Sequence, residues 1–239
     1  KTGIEWIRNP DGSSGMTWNP FKGCLHPEKE CAVASRCWAK GQAMRQKGRC
    51  LDCYTFTPHA HPERLEEPLR RKQPTTIGVC LSADLFGAWV PLEEIEKILE
   101  VVRKCPQHRF LFLTKNPGRY WGFNFPGNCW LGTTINREAD MHRLDALNAK
   151  AKENGDATFV SFEPLYEEVC VQPQKVGQYG PRWVIVGAQS RPTLLPKKEW
   201  VWGLIQDARG IGASVFLKDH LKHLQAELGN LEELPWGAP

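Results

Sequence analysis

WVIVGAQS (183–190) joins four consecutive apolar residues to four small or polar ones. A short, nearly continuous apolar run is typical of a strand that is buried on both faces, as in a parallel sheet. The same pattern occurs in TIGVCLSADLF (76–86), RFLFLTK (109–115), CWLGTTIN (129–136), TFVSFEPL (158–165) and SVFLKDHL (214–221). With a further strand at MTWNPF (16–21), these runs predict six or seven parallel strands.

Amphipathic helices are predicted between several of these strands. The pattern is found in PLEEIEKILEVVRKC (91–105), READMHRLDALNAKAKENG (137–155) and KKEWVWGLIQDARGIG (197–212). The first of them places Ile95, Ile98, Leu99 and Val102 on one face. Alternating strands and helices indicate βαβ units with right-handed connections. We therefore predict an α/β fold, a parallel (β/α) partial barrel similar to a TIM barrel. An open doubly wound sheet is the alternative that periodicity leaves open.

Composition excludes several classes of protein. The chain has 239 residues, a formal net charge of +4, 41% hydrophobic residues and ten Trp, which is enough apolar material for a core and excludes disorder. We expect one domain over residues 1–239. No apolar stretch reaches the ~18 residues of a membrane span, and KTGIEWIRNPDG (1–12) lacks the apolar region of a signal peptide. We therefore expect a cytoplasmic protein with no membrane partner.

Polar residues follow each predicted strand. Because ligands of parallel α/β folds bind beyond the carboxyl ends of the strands, these side chains predict a pocket for a polar, charged small molecule. They are Ser82, Asp84, Thr114, Lys115, Thr133, Asn136, Glu163, Gln189, Lys218 and Asp219. No glycine-rich phosphate loop is present, which argues against an ATPase or a dehydrogenase.

Five of the nine cysteines lie within residues 21–65, a cysteine-rich loop segment near the amino terminus. Their odd total number argues against a disulfide scaffold and favours metal ligands in a reducing compartment. One interpretation is zinc, held by Cys50 and Cys53 together with Cys37, His59 or His61. The other is a four-iron four-sulfur (4Fe-4S) cluster held by three thiolates, whose open iron binds S-adenosylmethionine. The spacing of the cysteines leaves both interpretations open.

Eight segments distributed over nearly the whole chain form a recognisable series. They are IEWIRNPDGSSGMTWNPFKGC (4–24), HPERLEEPLRRKQP (61–74), LSADLF (81–86), FLTKNPGRY (112–120), WLGTTIN (130–136), SFEPLY (161–166), WVIVGAQS (183–190) and FLKDHL (216–221). In content and order they resemble a family of phage-associated and bacterial proteins of unassigned function that is related to radical S-adenosylmethionine enzymes.

The resemblance implies which cysteines hold the cluster. The family's pattern is C-x6-C-x2-C followed by an aromatic residue and alanine, which matches Cys24, Cys31 and Cys37 followed by Trp38 and Ala39. The five-residue gap before Cys37 departs from the pattern, and Cys53 followed by Tyr54 is a rival third ligand. If Cys37 is the third ligand, Cys50 and Cys53 form an extra pair for a second metal, with zinc as the candidate.

The resemblance also implies roles for the strand-end residues. The cofactor-binding residues would be Ser82, Asp84, Thr114, Thr133, Asn136 and Glu163. The catalytic, substrate-side residues would be Lys115, Gln189, Lys218 and Asp219. Many relatives have glutamate at the position of Gln189 and glutamine at that of Asp219, so the substrate is expected to differ from theirs.

The implied activity is that of an enzyme in a bacterial host cell. It would cleave S-adenosylmethionine reductively to a 5′-deoxyadenosyl radical and so modify a small molecule, with a phage nucleotide or nucleobase as one candidate. An electron donor such as flavodoxin or ferredoxin would be needed. The alternative is a zinc-stabilised module without enzymatic activity that binds nucleic acid through the basic stretches 40–49 and 64–72.

Overall fold

The computed structural model describes residues 1–27, 30–190, 192–229 and 231–236. The chain divides into two compact units. The first unit contains Gly15–Cys129 together with Lys1, and the second contains Thr2–Ser14 and Trp130–Pro239.

The first unit is built on three parallel strands in the order β1-β4-β5. A separate antiparallel pair, β2 and β3, lies within the cysteine-rich segment. The strands are β1 (Met16–Trp18), β2 (Phe21–Lys22), β3 (His59–Ala60), β4 (Thr76–Val79) and β5 (Arg109–Thr114). The α-helices are α1 (Trp38–Ala43), α2 (Leu51–Thr55) and α3 (Leu92–Arg103). Short 3₁₀-helices occupy Ala34–Arg36, Met44–Gln46, Pro62–Arg64, Glu67–Arg70 and Pro117–Gly122.

The second unit contains four parallel strands in the order β6-β7-β8-β11 and a two-stranded antiparallel pair, β9 and β10. The strands are β6 (Cys129–Thr134), β7 (Ala157–Phe162), β8 (Trp183–Val186), β9 (Gln189–Ser190), β10 (Thr193–Leu194) and β11 (Ser214–Leu217). The α-helices are α4 (His142–Asn154), α5 (Pro173–Val176), α6 (Lys198–Gly210) and α7 (Gln225–Leu228). Further 3₁₀-helices occupy Glu138–Asp140, Gly177–Tyr179 and Asp219–Leu224.

The cores follow from the apolar runs. Every residue of β4 and of β8 is buried, as expected for strands covered on both faces. In the second unit, Trp183 of β8 is fully buried, and its ring lies 5.9 Å from that of Trp6 and 5.7 Å from that of Phe159. These ring contacts tie the amino-terminal segment to the parallel strands of the same unit.

The predicted α/β fold class is confirmed. The seven parallel strands are consistent with a partial barrel, and the amino-terminal cysteine-rich region is present. The helix α3 buries the four residues predicted for its apolar face. Gly155 ends α4 in the left-handed conformation, with φ 70°. No helix in the described part of the chain is long and apolar enough to cross a membrane.

Candidate metal centre and strand-end residues

Four side chains of the first unit converge to form a candidate metal centre. They are Cys50, Cys53, His59 and His61, and their ligand atoms all lie within 4.8 Å of one another. The Cys53 sulfur is 3.4 Å from His59 Nε2 and 3.2 Å from His61 Nε2, and Cys50 Sγ is 3.5 Å from His59 Nε2. We call these residues the Cys2His2 group. Segment 21–65 therefore contains, as predicted, a group of residues that could hold a metal ion.

Local sequence explains this convergence. Cys50 caps α2, where its sulfur accepts a hydrogen bond from the Cys53 backbone N–H at 3.3 Å, so the two thiols lie on one turn. The histidines flank Ala60 of β3, and side chains two residues apart on a strand point to the same side. The two histidine Nε2 atoms are accordingly 2.9 Å apart.

Contacts behind the histidines leave their Nε2 atoms available to a metal. His59 Nδ1 lies 2.8 Å from the carbonyl oxygen of Thr57, and His61 Nδ1 lies 2.8 Å from Glu63 Oε1. If each Nδ1–H donates to its oxygen, each Nε2 keeps its lone pair, as in carboxylate–histidine–metal arrangements. Burial lowers the pKa of His61, which also favours the neutral, metal-binding form.

The geometry fits a closed tetrahedral site. With zinc–sulfur bonds of about 2.3 Å and zinc–nitrogen bonds of about 2.0–2.1 Å, a tetrahedron separates sulfur from nitrogen by about 3.6 Å. The three sulfur–nitrogen distances of 3.2–3.5 Å lie slightly inside that value. Lys22 Nζ lies 3.8 Å from the Cys53 sulfur and would offset part of the thiolate charge. Four protein donors leave no open coordination position, which is typical of a structural site.

Backbone contacts connect the Cys2His2 group to the loop that carries Cys24. Lys22 of β2 pairs with His59 of β3, and the Cys24 N–H donates to the Phe56 carbonyl at 3.3 Å. On the other side, the Gly23 N–H donates to the Ser82 carbonyl at 3.3 Å. The loop therefore lies between the metal-ligand segment and the chain that leaves the carboxyl end of β4.

Gly23 permits this close passage. Its φ is +87°, and a Cβ built on it would lie 2.3 Å from the carbonyl oxygen of Thr57. We expect Gly23→Ala to lower the free energy of unfolding by more than the about 1–2 kcal/mol of left-handed strain alone, because backbone atoms must also move. Denaturant unfolding measures the effect. Gly48→Ala is the matched control, since Gly48 has φ +79° and nothing within 4 Å of its Cβ position. Equal losses in the two variants would contradict the proposed contact.

Asp84, just beyond β4, is the centre of a buried polar cluster in the first unit. Its Oδ2 lies 2.7 Å from His26 Nε2 and accepts the Lys115 backbone N–H at 2.8 Å, and its Oδ1 accepts the Thr114 hydroxyl at 2.5 Å. Burial alone would raise the pKa of Asp84, but the hydrogen bond and charge of His26 and the bonds from Thr114 and Lys115 lower it below the usual value. The structure therefore holds an ionised carboxylate at the strand ends. Ser82, a neighbour in sequence, donates through its hydroxyl to Asn19 Oδ1 at 2.9 Å.

Cys24 lies in the electrostatic field of this cluster. The pKa of its thiol is raised to about 12, mainly by burial; the charges of Asp84 and Cys31 contribute to the increase, whereas Lys115 opposes it. Cys31 is buried, and Cys37 is partly exposed at the amino end of α1. Within the described ranges, the Cys2His2 group is the single set of three or more such ligands at the spacing of one metal ion. Cys24, Cys31 and Cys37 are therefore not gathered around one ion.

In the second unit, Lys218 and Glu163 form an ion pair at the ends of β11 and β7. Lys218 also lies 3.8 Å from Glu5 Oε1, and the Asp219 N–H donates to Glu5 Oε2 at 2.6 Å. A Cβ on Gly187 would lie 2.9 Å from Glu163 Cγ and 3.0 Å from Lys218 Cδ, so glycine leaves room for the pair.

The other predicted residues of the second unit occupy different environments. Thr133 and Asn136 are fully buried. Asn136 donates through Nδ2 to the Pro164 carbonyl at 2.8 Å, whereas its buried Oδ1 has no hydrogen-bond partner in the part of the chain that the structure describes. Gln189 accepts from the Tyr166 hydroxyl at 2.5 Å. The Asp219 carboxylate is half exposed and pairs with Lys222 at 2.6 Å.

His26 belongs to the polar cluster around Asp84, and sequence analysis did not predict its role there. Its side chain is 7% exposed, and its buried Nδ1 lacks a hydrogen-bond partner within the described ranges, with Glu30 Oε2 at 3.7 Å. A histidine in a polar loop is usually a surface residue, so neither its neighbours in sequence nor its spacing indicated this contact. Its proximity to Cys24 in the sequence was the one available signal.

Comparison with protein families matches residues 1–233 to the family described as "Protein of unknown function (DUF5131)". No curated protein and no solved structure matches the chain. The match covers the cysteine-rich segment, both units and every strand-end residue discussed above. The chain therefore belongs to the DUF5131 family.

Proposed function

We propose that the chain is an iron–sulfur enzyme that binds S-adenosylmethionine and cleaves it reductively, and that a zinc ion in the Cys2His2 group stabilises its cysteine-rich segment. The observation that carries the proposal is the position of Cys24. Its loop is bonded to the chain leaving β4, and its thiol lies in the field of the buried Asp84 carboxylate. In parallel α/β folds, this end of the strands is where ligands bind.

Zinc is the metal that best matches the Cys2His2 group. Thiolate and imidazole together are the usual donors of structural zinc, and the donors approach tetrahedral spacing. Assigning Cys53 to this group also leaves Cys37 as the third cluster ligand, next to Trp38 and Ala39. The two metals would then use separate cysteines.

The remaining thiols fit a cluster better than a single ion. A cubane cluster spaces its thiolates more widely than one ion does, in keeping with three cysteines outside single-ion reach. Cys24 and Cys31 interact electrostatically, so their thiols lie near one another, as two ligands of one cluster would. When bound, the cluster would supply an electron, received from a donor such as flavodoxin or ferredoxin, to the sulfonium of S-adenosylmethionine.

The chain's own residues would bind and orient the cofactor. In the first unit, the ionised Asp84 offers a negative charge to the amino group of the methionyl moiety, with Ser82 and Thr114 as neighbouring hydroxyl groups. In the second unit, Asn136 stays a predicted cofactor contact; its buried Oδ1 is an acceptor without a partner among the described residues. Thr133 and Glu163 stay predicted cofactor contacts. Lys115, Gln189, Lys218 and Asp219 stay predicted substrate-side groups.

Anaerobic reconstitution with iron and sulfide tests the proposal. We expect a brown protein that contains both iron and zinc and that forms 5′-deoxyadenosine from S-adenosylmethionine when a reductant is present. Cys24→Ala, Cys31→Ala and Cys37→Ala should each lose the iron and the product but keep the zinc. Cys170→Ala is the matched control, because Cys170 is exposed and lies outside segment 21–65.

The same measurement separates the proposal from its alternative, a zinc-stabilised module without enzymatic activity. That alternative also predicts a filled Cys2His2 group. It predicts no iron, however, and no change in metal content in the Cys24 variant. A colourless protein that contains zinc alone would overturn the enzymatic proposal. A cytoplasmic location accompanies the proposal, since both sites need reduced thiols.

A further inference from the structure

A basic stretch of the first unit lies within the cysteine-rich segment. Residues 31–51 contain five cations and no Asp or Glu. All five cations are exposed; they are Arg36, Lys40, Arg45, Lys47 and Arg49. We call these five residues, with the exposed side chains between them, the basic patch. Since the whole chain carries +4 and the basic patch +5, the rest of the chain carries a net charge of −1.

The charges of the basic patch are not neutralised by acidic side chains in the described part of the chain. Among the described residues, none of its five cations forms an ion pair, and Arg45 donates only to the neutral Gln42 at 3.2 Å. The other basic stretch, 64–72, differs in part. Arg64 pairs with Glu67 at 2.8 Å, and Arg71 donates to Thr75 at 2.6 Å, whereas Arg70 and Lys72 are exposed. Two glutamates also lie among the cations of 64–72, and none lies within residues 31–51.

Apolar side chains lie exposed among the cations. Trp38 is 53% exposed, Met44 57% and Leu51 75%. α1, α2 and the 3₁₀-helix Met44–Gln46 pack against one another, so these side chains belong to one compact element. Charged groups that contact phosphates, together with an aromatic ring on which bases stack, are the two components of sequence-tolerant binding to single strands.

We propose that the basic patch binds single-stranded nucleic acid. Its cations would contact the phosphates, and Trp38 would stack on an unpaired base, which a duplex does not offer. An anionic membrane is a less suitable partner for the basic patch. α1 has only six residues, and the cations of the patch lie on helices and turns rather than along the polar face of one helix. The proposal does not depend on the chemistry proposed for the cluster.

Fluorescence anisotropy with a labelled single-stranded oligonucleotide tests the proposal on the full chain. We expect affinity to fall linearly with salt on logarithmic axes, and the matching duplex to bind more weakly. Arg45→Glu/Lys47→Glu should lower the affinity at least tenfold and reduce the salt slope by about 1.4, the value for two lost phosphate contacts. Trp38→Ala should lower the affinity about 5- to 100-fold with the slope unchanged.

Arg70→Glu/Lys72→Glu is the matched control. It makes the same change in net charge at exposed positions of the same unit outside the basic patch. It should leave the affinity within about twofold, because salt screens charges that do not contact the phosphates directly. Zinc content and circular dichroism establish that each variant is folded.

The outcomes separate this inference from the proposed function. Binding by iron-free protein that is lost in Arg45→Glu/Lys47→Glu supports the basic patch even if no S-adenosylmethionine is cleaved. Equal binding by that variant and the wild-type chain overturns it. So does a wild-type chain that binds phosphatidylserine vesicles or an acidic protein but not the oligonucleotide.

Discussion

Cys53→Ser is expected to remove the zinc ion from the Cys2His2 group and to lower the melting temperature by about 10 °C. The serine hydroxyl is a poor replacement for a thiolate that lies close to both histidines. At a free zinc concentration of about 1,000 times Kd, a bound ion stabilises the folded chain by about 4 kcal/mol. Each kcal/mol corresponds to roughly 2–4 °C for a chain of this size.

Zinc content by mass spectrometry and thermal unfolding with and without a chelator measure this effect. The chelator should lower the melting temperature of the wild-type chain to that of Cys53→Ser and should leave the variant unchanged. Cys105→Ser is the matched control, since Cys105 is a buried cysteine of the same unit outside the group. The Cys105→Ser protein should keep the zinc ion in the Cys2His2 group. A Cys53→Ser protein with wild-type zinc content would contradict the assignment.

The contact between Glu63 and His61 allows a second test, in which zinc binding is weakened rather than lost. Glu63 Oε1 lies 2.8 Å from His61 Nδ1 and would orient the imidazole toward the metal. Losing such a contact typically weakens metal binding 10- to 100-fold. In Glu63→Gln the zinc should therefore still bind, but with a higher dissociation constant. This result would distinguish a ligand from a residue that positions one.

Sequence periodicity predicted those helices and strands whose pattern of buried residues depends only on neighbouring residues in the chain. α3 lies within its predicted range, and its four apolar-face residues are buried because the 3.6-residue period depends only on neighbouring turns. The apolar runs ended in polar residues, and the structure ends β4 and β5 near those points. The small pairs β2–β3 and β9–β10 were not predicted as strands. Two residues per strand carry no periodic signal.

Contacts between distant residues were harder to predict. Spacing offered Cys37, His59 or His61 to complete the zinc site with Cys50 and Cys53, and the structure selects both histidines. The selection depends on β3 pairing with β2, and sequence spacing does not report that pairing. Sequence likewise did not single out the partner of Lys218, which is Glu163, 55 residues away.

Asp84→Asn is the second variant with a large expected effect. Asp84 is 5% exposed, and its carboxylate is held by His26, Thr114 and Lys115. Removing a buried acceptor that several donors share costs about 1–3 kcal/mol for the donors left unsatisfied, and more where the acceptor is charged. We expect a loss of this size in the free energy of unfolding, measured with a denaturant. Glu93→Gln, the same chemical change at an exposed position of the first unit, should change it by less than about 0.5 kcal/mol.

The pH dependence identifies the charge as the cause. Because the pKa of Asp84 is lowered in the folded chain, its stabilisation is present above the unfolded value of about 4 and is lost as the pH falls through the lower folded value. The difference between wild type and Asp84→Asn should therefore shrink below about pH 4. A second substitution, His26→Gln, should cost less in the Asp84→Asn background than in the wild-type chain, since the two side chains interact directly. Additive losses, or a constant difference down to low pH, would show that the carboxylate acts through its shape rather than its charge.

Under the proposed function, the folded variant should also lose affinity for S-adenosylmethionine while keeping its iron, because Asp84 is proposed to contact the cofactor and not the cluster.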